Sequence, residues 1–401
     1  NGIIGRSKPT IASRSIRKDK SLDIALSLRQ KLVQSTNSKL GSNEKVGLML
    51  SGGLDSSCIA SSLADNHKIK VLTYSLSFDH LVTGDSQIDE TNYQDLINTK
   101  FSFVGNSYRP KDTKTLEISR KNLGLFGQPF YMPNLYMFEW VYSEAKRDNL
   151  DIVFDGHDGD TVISHGHEHI KELFVSFRWF KLYSLLKDYA LVNKQTLFDT
   201  FKKMIRRALK ETLYILPINS LRNRRSDRVI SSFPYLSQYK MSFFASHQKK
   251  LSNPLLGISN EYGYFISRKY NVRRASPFFA DQVVEFCLKI DSSFKFSKGY
   301  TRKVLRDAFK KDLPKEILNR PGKANLGSFL LNQIQEDELK DLAENIEKID
   351  KRLIIFVNKE ILLKEFSLLR SENRDERSFL NLLSFYLVNN WLKDRQFLEI
   401  K

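Results

Sequence analysis

The sequence has little cysteine and no long apolar run. Only two cysteines, Cys58 and Cys287, occur in 401 residues, and no Cys-x-x-Cys pair is present. This excludes a disulfide framework and a zinc or iron–sulfur site built on a short cysteine motif, and it fits a reducing cytoplasm, where we expect the protein to act. No apolar run reaches the roughly eighteen residues of a membrane span, and no N-terminal segment has the pattern of a secretory signal.

Positive charge is the strongest bias in the composition. Lys and Arg number 64 against 46 Asp and Glu, a formal net charge of +18, so the surface attracts polyanions. Residues 202–274 combine sixteen basic residues with several aromatic ones, a mixture that can bind single-stranded nucleic acid. Because the charge is spread along this region, we expect no nucleic-acid partner. A solvated basic face, or a docking surface for an acidic peptide or a lipid-linked sugar, explains it as well.

Short apolar runs alternate with helical patterns in the first part of the chain. Strands are predicted at residues 45–50, 70–75, 101–104 and 151–154, between helices at 21–40, 54–64, 89–99 and 136–145. This alternation predicts an α/β fold with a doubly wound parallel sheet. After about residue 165 the strand signals end, and the rest is predicted to be mainly helical.

The same patterns divide the chain into three parts. Residues 1–20 hold six basic residues and little apolar periodicity, so they are interpreted as a linker or arm. Residues 21–165 form the predicted nucleotide-binding core, and residues 166–401 the predicted helical, substrate-side region. Within the latter, the segment near 221–228 is expected to be mobile.

Residues 51–57 (SGGLDSS), here called the glycine turn, lie where the first predicted strand passes into a helix. Two glycines allow a tight turn, and the helix start beyond them presents N–H groups and a positive dipole end that suit phosphate. Asp55 would repel phosphate directly, so we expect it to hold a magnesium ion. No Lys follows the turn as in the Gly-x-x-x-x-Gly-Lys loop. The residues assigned to nucleotide binding are Leu50, Ser51, Gly52, Gly53, Asp55, Ser56, Ser57, Ser75 and Gly156.

A second glycine-punctuated segment, DIVFDGHDGD, spans residues 151–160. Its last six residues, 155–160, are here called the acidic turn. In a doubly wound sheet, ligands bind beyond the carboxyl ends of the strands. The acidic turn should therefore share a crevice with the glycine turn. We expect Asp55 and Asp160 to hold one or two Mg²⁺ ions beside a triphosphate.

The glycine turn resembles the pyrophosphate loop of ATP pyrophosphatases, which cleave ATP to AMP and pyrophosphate. Within that group, residues 21–330 resemble the synthetase domain of asparagine synthetases and of their relatives, the β-lactam synthetases and lasso-peptide macrolactam cyclases. The resemblance implies ATP and Mg²⁺ as cofactors and an AMP-forming carbon–nitrogen ligase. Its substrate would be a carboxylate such as an amino acid, a peptide or a sugar acid.

The resemblance also implies roles for later residues. The family has a Gly-x-Gly-x-Asp turn whose last residue matches Asp160. Here its third position is Asp158, and the Glu of asparagine synthetases is replaced by His157, as in some lasso-type cyclases. We interpret His157 as the general base for the attacking amine. In the C-terminal signature, Lys323, Arg320 and Arg302 are candidates to neutralise charge as pyrophosphate leaves; Ala280 replaces the family's Asp, with Asp281 one place later.

The source of the amine is left open by the sequence. About fifty residues precede the glycine turn, none of them Cys, so we expect no glutaminase of the asparagine synthetase type in this chain. Ammonia would then come from a separate glutaminase, or the amine would belong to the substrate itself. The expected partner is either that glutaminase or a precursor-peptide-binding subunit. The two functions that we expect for such a ligase are asparagine synthesis and macrolactam formation. The alternatives are a tRNA-modifying ATP pyrophosphatase and a non-catalytic nucleotide-binding partner.

Overall fold

The computed structural model describes residues 21–66, 69–78, 89–110, 113–130, 132–213, 243–320, 322, 331, 334–371 and 374–394. Within helices, it describes no side chains for residues 207–213 and 243–245. Three sequence predictions lie outside the described residues. These concern the arm at 1–20, the mobile segment at 221–228 and the role of Lys323.

A five-stranded parallel sheet forms the centre of the fold. Its strands are β1 (Val46–Met49), β2 (Val71–Leu76), β3 (Val104–Tyr108), β4 (Ile152–Phe154) and β5 (Arg273–Ala275). They lie in the order β3-β2-β1-β4-β5, and Val46 is paired with both Val71 and Ile152. The chain thus builds outward from β1 in one direction and then in the other. The predicted doubly wound α/β fold is confirmed.

Helices account for most of the remaining described chain. Before residue 165 they are α1 (Ser21–Asn37), α2 (Leu54–Ala64), α3 (Thr91–Phe101), α4 (Thr115–Lys121), α5 (Leu123–Phe126), α6 (Leu135–Arg147) and α7 (Gly159–Ile163). After it they are α8 (Glu168–Val175), α9 (Trp179–Val192), α10 (Leu197–Leu213), α11 (Phe243–Leu251), α12 (Pro254–Lys269), α13 (Asp281–Lys289), α14 (Ser292–Lys295), α15 (Lys303–Ala308), α16 (Lys315–Asn319), α17 (Glu336–Glu347), α18 (Lys359–Arg370) and α19 (Glu376–Lys393). A two-stranded antiparallel ribbon pairs β6 (Phe296–Ser297) with β7 (Tyr300–Thr301). None of the helices in the described ranges is long and apolar enough to cross a membrane.

Alternate side chains of the strands enter two separate cores. Val46 and Leu48 of β1 pack with α1, α2, α13 and α15 on one face. Met49 and Tyr74 pack with α6, α12 and the C-terminal helices α17–α19 on the other. This alternation is the period of two expected for strands, and it covers both faces, as a parallel sheet requires. A third, smaller core lies within α8, α9 and α10.

Two strand predictions need correction. The sequence predicts the third strand at residues 101–104, but Phe101 ends α3 and β3 begins at Val104. Phe101 and Phe103 pack against the core that contains Val46 and Leu48, whereas β3 is an edge strand whose first residue is 61% exposed. The prediction that strand signals end near residue 165 is wrong for β5, β6 and β7. β5 contains two arginines, Arg273 and Arg274, so it lacks the apolar pattern of a buried strand.

Candidate functional site

The glycine turn and the acidic turn meet between β1 and β4. The order of the strands reverses here, since β2 and β3 lie on one side of β1 while β4 and β5 lie on the other. A Cβ atom added to Gly156 would lie 2.7 Å from Ser56 N, and one added to Gly159 would lie 3.0 Å from the Asp55 Cβ atom. The turns therefore touch at positions where only glycine leaves room. Crevices at such reversals are where α/β sheets bind ligands.

Local geometry shapes the glycine turn for an anion. Gly52 has a φ of +73°, and a Cβ atom there would lie 2.9 Å from the Tyr93 Cβ atom. Ser51 Oγ accepts a hydrogen bond from Gly53 N at 3.2 Å and lies 3.0 Å from Ser56 Oγ. α2 begins within the turn, at Leu54, and the first N–H groups of a helix have no intrahelical partner. The turn thus offers backbone donors and two hydroxyls at the positive end of a helix.

Two other residues assigned to nucleotide binding, Leu50 and Ser75, lie behind the turn, and Ser57 is its last residue. The N–H of Leu50 donates to the carbonyl of Tyr74 at 2.9 Å, and the Leu50 carbonyl accepts from Ser75 Oγ at 2.7 Å. Ser57 is fully buried, and its hydroxyl has no hydrogen-bond partner among the described residues. The hydrogen bonds of the Leu50 backbone to Tyr74 and Ser75 tie the start of the turn to β2, whereas Ser51 is exposed to solvent.

Asp55 forms a buried ion pair that the sequence did not predict. Nη1 of Arg302 donates to both carboxylate oxygens of Asp55, at 2.8 and 2.7 Å. Burial by itself would lower the pKa of Arg302, but the charges of Asp55 and Asp160 outweigh it and raise the pKa. Nε of Arg302 is buried with no hydrogen-bond partner in the described part of the chain. One guanidinium nitrogen therefore carries the whole contact with Asp55.

The two predicted metal ligands lie on facing turns, Asp55 on α2 and Asp160 on α7. Arg302 interacts electrostatically with both carboxylates, and His165 Nε2 lies 3.8 Å from Asp160 Oδ2. Carboxylate oxygens suit Mg²⁺, so Asp55 and Asp160 are the residues here that could hold such an ion. No three His, Cys, Asp or Glu side chains in the described ranges are grouped to hold a metal ion.

The first residue of the acidic turn, Asp155, forms a second buried ion pair. Its carboxylate accepts from Arg274 Nε at 2.7 Å, from Ser276 Oγ at 2.8 Å and from His157 N at 3.1 Å. Burial would raise the pKa of Asp155, but the nearby Arg274 charge and these hydrogen bonds outweigh it and lower the pKa. Arg274 Nη1 also donates to the Asn260 carbonyl at 3.0 Å. The pair joins β4 to β5 and fixes the start of the acidic turn.

His157, the predicted general base, lies at the edge of the crevice. Its Nε2 atom is 3.1 Å from Ser259 Oγ on α12 and 3.1 Å from Asp158 Oδ2. Its ring meets the ring of Phe138 edge to face, with centroids 6.0 Å apart. About a fifth of the side chain is exposed, at 22%. The Ser259 hydroxyl thus orients the imidazole, which still reaches solvent.

Arg320 lies on the opposite side of the glycine turn. It forms an ion pair with Glu90 at 2.5 Å, with both side chains only 12% exposed. Its guanidinium stacks 4.3 Å above the ring centroid of Tyr93, the residue packed against Gly52. Arg320 therefore lies at the rim of the site, while Asp281 is the first residue of α13.

Comparisons with known proteins identify a family and similar solved structures. The sequence model of a family described as asparagine synthase matches residues 27–254 and 266–393. No curated protein matches the chain. A solved structure, the U34-tRNA thiolase NcsA from Methanococcus maripaludis with its 4Fe-4S cluster, is similar at 14% identity and a TM-score of 0.26, covering 65% of this chain and 87% of that one. At that score the likeness to the thiolase carries no argument.

Proposed function

Because the chain belongs to the asparagine synthase family, we propose that it is an ATP-dependent carbon–nitrogen ligase that forms AMP and pyrophosphate. It adenylates a carboxylate and transfers the acyl group to an amine or to ammonia. The contact between the glycine turn and the acidic turn supports this most strongly. It brings a helix N-terminus, two carboxylates and the buried Arg302 to one crevice.

The glycine turn binds the ATP phosphates in this proposal. Backbone N–H groups at the start of α2 and the hydroxyls of Ser51 and Ser56 are the donors, and both glycines of the turn allow the phosphates to approach the backbone. Asp55 and Asp160 would hold Mg²⁺, which when bound offsets the negative charge of the phosphates. For Asp55 to contact Mg²⁺, at least one of its carboxylate oxygens must lose its hydrogen bond to Arg302.

The chemistry proceeds in two steps. An oxygen of the substrate carboxylate attacks the α-phosphorus, and pyrophosphate leaves with its electron pair, which gives an acyl-adenylate. The amine then attacks the acyl carbon, and AMP leaves. His157 accepts the proton that the amine loses, with its ring held by the Ser259 hydroxyl. Arg320 and Lys323 stabilise the negative charge of the departing pyrophosphate.

The acid and the amine are proposed only as classes. The acid is an amino acid, a peptide or a sugar acid, and the amine is ammonia from a separate glutaminase or a group on the substrate. In the latter case the product is a macrolactam. We place nucleotide binding in residues 21–165 and substrate binding in residues 166–401, and we propose that the reaction takes place in the cytoplasm.

ATP/pyrophosphate exchange tests the proposal, since it detects reversible adenylation directly. Full-length protein is assayed with Mg²⁺ and radiolabelled pyrophosphate in the presence of aspartate, sugar acids, peptides or transfer RNA. Exchange that depends on aspartate would support asparagine synthesis, and exchange that depends only on a peptide would support macrolactam formation. Stimulation by transfer RNA alone would indicate a tRNA-modifying enzyme instead. Absence of exchange with every candidate, together with no binding of ATP, would contradict the proposal.

A further inference from the structure

An unusual group of apolar side chains is exposed on α8, α9 and α10 and on the link between α8 and α9. Six of the eight large aromatic side chains that are exposed among the described residues lie between residues 175 and 201. They are Phe177, Trp179, Phe180, Tyr183, Phe198 and Phe201. Phe180 is 93% exposed, and the aliphatic Leu191 is 69% exposed. Contiguous exposed apolar groups of this kind mark an interaction site.

The arrangement on α9 shows that the exposure is a property of one helix face. Leu182, Leu185 and Leu186 point into the core shared with α8 and α10. Phe180, Tyr183 and Leu191 are spaced along the helix so that they lie on the opposite face. A helix that is apolar on both faces is normally buried on both. The outer face of α9 therefore lacks a partner in the described part of the protein.

Charge surrounds these apolar groups. All seven Lys and Arg side chains between residues 175 and 206 are exposed, among them Lys181, Lys187 and Lys202. The two acidic residues of this segment are Asp188, which is half-buried, and Asp199, which is bonded to Thr196 Oγ1. We call the exposed aromatic, aliphatic and basic side chains of residues 175–206 the aromatic–basic surface.

We propose that the aromatic–basic surface docks the protein onto a lipid bilayer that contains anionic phospholipids. Helices that lie in a membrane interface have Trp, Phe and Leu on one face, flanked by Lys and Arg. The basic side chains complement the negative charge of the headgroups. A single strand of nucleic acid is a poorer match, because Leu191 has no ring on which a base could stack and Phe180 projects outward instead of lining a groove.

Vesicle flotation tests the proposal with the full-length protein. Vesicles of phosphatidylglycerol and phosphatidylcholine in equal parts are compared with vesicles of phosphatidylcholine alone. We expect binding only to the anionic vesicles, with a steep loss as salt rises and the Debye length falls from about 10 Å at 0.1 M to about 3 Å at 1 M. The emission of Trp179 should shift to the blue on binding, and this shift should be absent in Trp179→Phe.

Substitutions at exposed positions show whether this surface is responsible. The double variant Phe180→Ser with Phe198→Ser should weaken vesicle binding by about tenfold or more. Phe356→Ser is the matched control, because Phe356 is 55% exposed outside the surface. Both variants should keep the wild-type thermal midpoint and ATP/pyrophosphate exchange. Equal binding to neutral vesicles, or unchanged vesicle binding by the double variant, would overturn the proposal. So would a finding that this surface instead mediates self-association or binds single-stranded DNA.

Discussion

Two buried aspartate–arginine pairs lie side by side at the candidate site, and they are built differently. Asp155 accepts from Arg274, from Ser276 and from a backbone N–H. Both oxygens of Asp55 are bonded to one nitrogen of Arg302. The shortest nitrogen–oxygen distance is 2.7 Å in each pair. The two pairs therefore have the same shortest nitrogen–oxygen distance. They differ in how many hydrogen-bond partners each aspartate has.

The difference suggests two roles. Asp155 has partners from β5 and from its own turn, so losing any one of them leaves the others in place. Asp55 depends on a single guanidinium that also senses Asp160. A carboxylate with one displaceable cation is suited to exchanging it for another. We therefore interpret the Asp155–Arg274 pair as a fixed contact between β4 and β5, and the Asp55–Arg302 pair as the metal-free state of the proposed Mg²⁺ site.

The largest expected effect is on catalysis. Asp55→Asn and Asp160→Asn remove one carboxylate charge each from the proposed Mg²⁺ site, so each should lower ATP/pyrophosphate exchange by at least about a hundredfold. Asp65→Asn is a suitable control, because Asp65 lies at the far end of α2 and contacts Arg29. Normal exchange in both site variants would show that the metal assignment is wrong.

The next largest effect compares the stabilities of the two pairs. Arg274→Met leaves Asp155 buried without its cation and should lower the free energy of unfolding by about 3–5 kcal/mol, measured by urea titration. Arg302→Met also strands an aspartate, but here Mg²⁺ can take the vacated place. Millimolar Mg²⁺ should therefore raise the thermal midpoint of Arg302→Met and leave that of Arg274→Met unchanged. An equal shift of the thermal midpoint with Mg²⁺ in both variants would show that the two ion pairs do not differ in this way.

A smaller effect concerns the contact between the turns. A Cβ atom at position 156 would meet three backbone atoms of Asp55 and Ser56 at 2.7–2.9 Å, so Gly156→Ala must displace the start of α2. We expect a loss of about 1–3 kcal/mol in unfolding free energy and a raised KM for ATP. Gly257→Ala is the control, because nothing lies within 4 Å of the added Cβ atom. An unchanged KM for ATP in Gly156→Ala would show that the contact between the two turns does not affect nucleotide binding.

The smallest effect is a pH dependence behind the acidic turn. His247 Nε2 lies 3.0 Å from the Thr161 carbonyl on α7, and its Nδ1 lies 3.1 Å from Lys295 Nζ. Burial first, and then the Lys295 charge, lower the pKa of His247 from 6.5 to about 4, with Glu168 and Lys250 also nearby. The unfolded chain therefore takes up this proton first, and stability should fall as pH drops from about 6.5 towards 4.

His247→Gln should reduce this acid-side loss, because a Gln amide can occupy the same hydrogen bonds without titrating. Urea unfolding at pH 7 and pH 5 measures the difference between the two proteins. The same slope in wild type and variant would show that other groups account for the loss.

The sequence was sufficient for the placement of the two turns but not for their ion pairs. Alternating strands and helices fix the order in which β1 and β4 are laid down, so residues 51–57 and 155–160 could be predicted to share a crevice. The partner of Asp55 lies 247 positions away in the chain, and no local pattern links two such positions. β5 was missed for a related reason. Arg274 is buried only because it pairs with Asp155. The sequence of β5 therefore looks like that of an exposed loop.

The most direct test of the account is a crystal structure with Mg²⁺ and an ATP analogue that cannot be cleaved between its α- and β-phosphates. The account predicts the phosphates at the start of α2, against Ser51, Ser56 and Gly156, with Asp55 contacting the metal ion and no longer bonded through both oxygens to Arg302. A nucleotide bound elsewhere, or a glycine turn left empty with the Asp55–Arg302 pair intact, would contradict it.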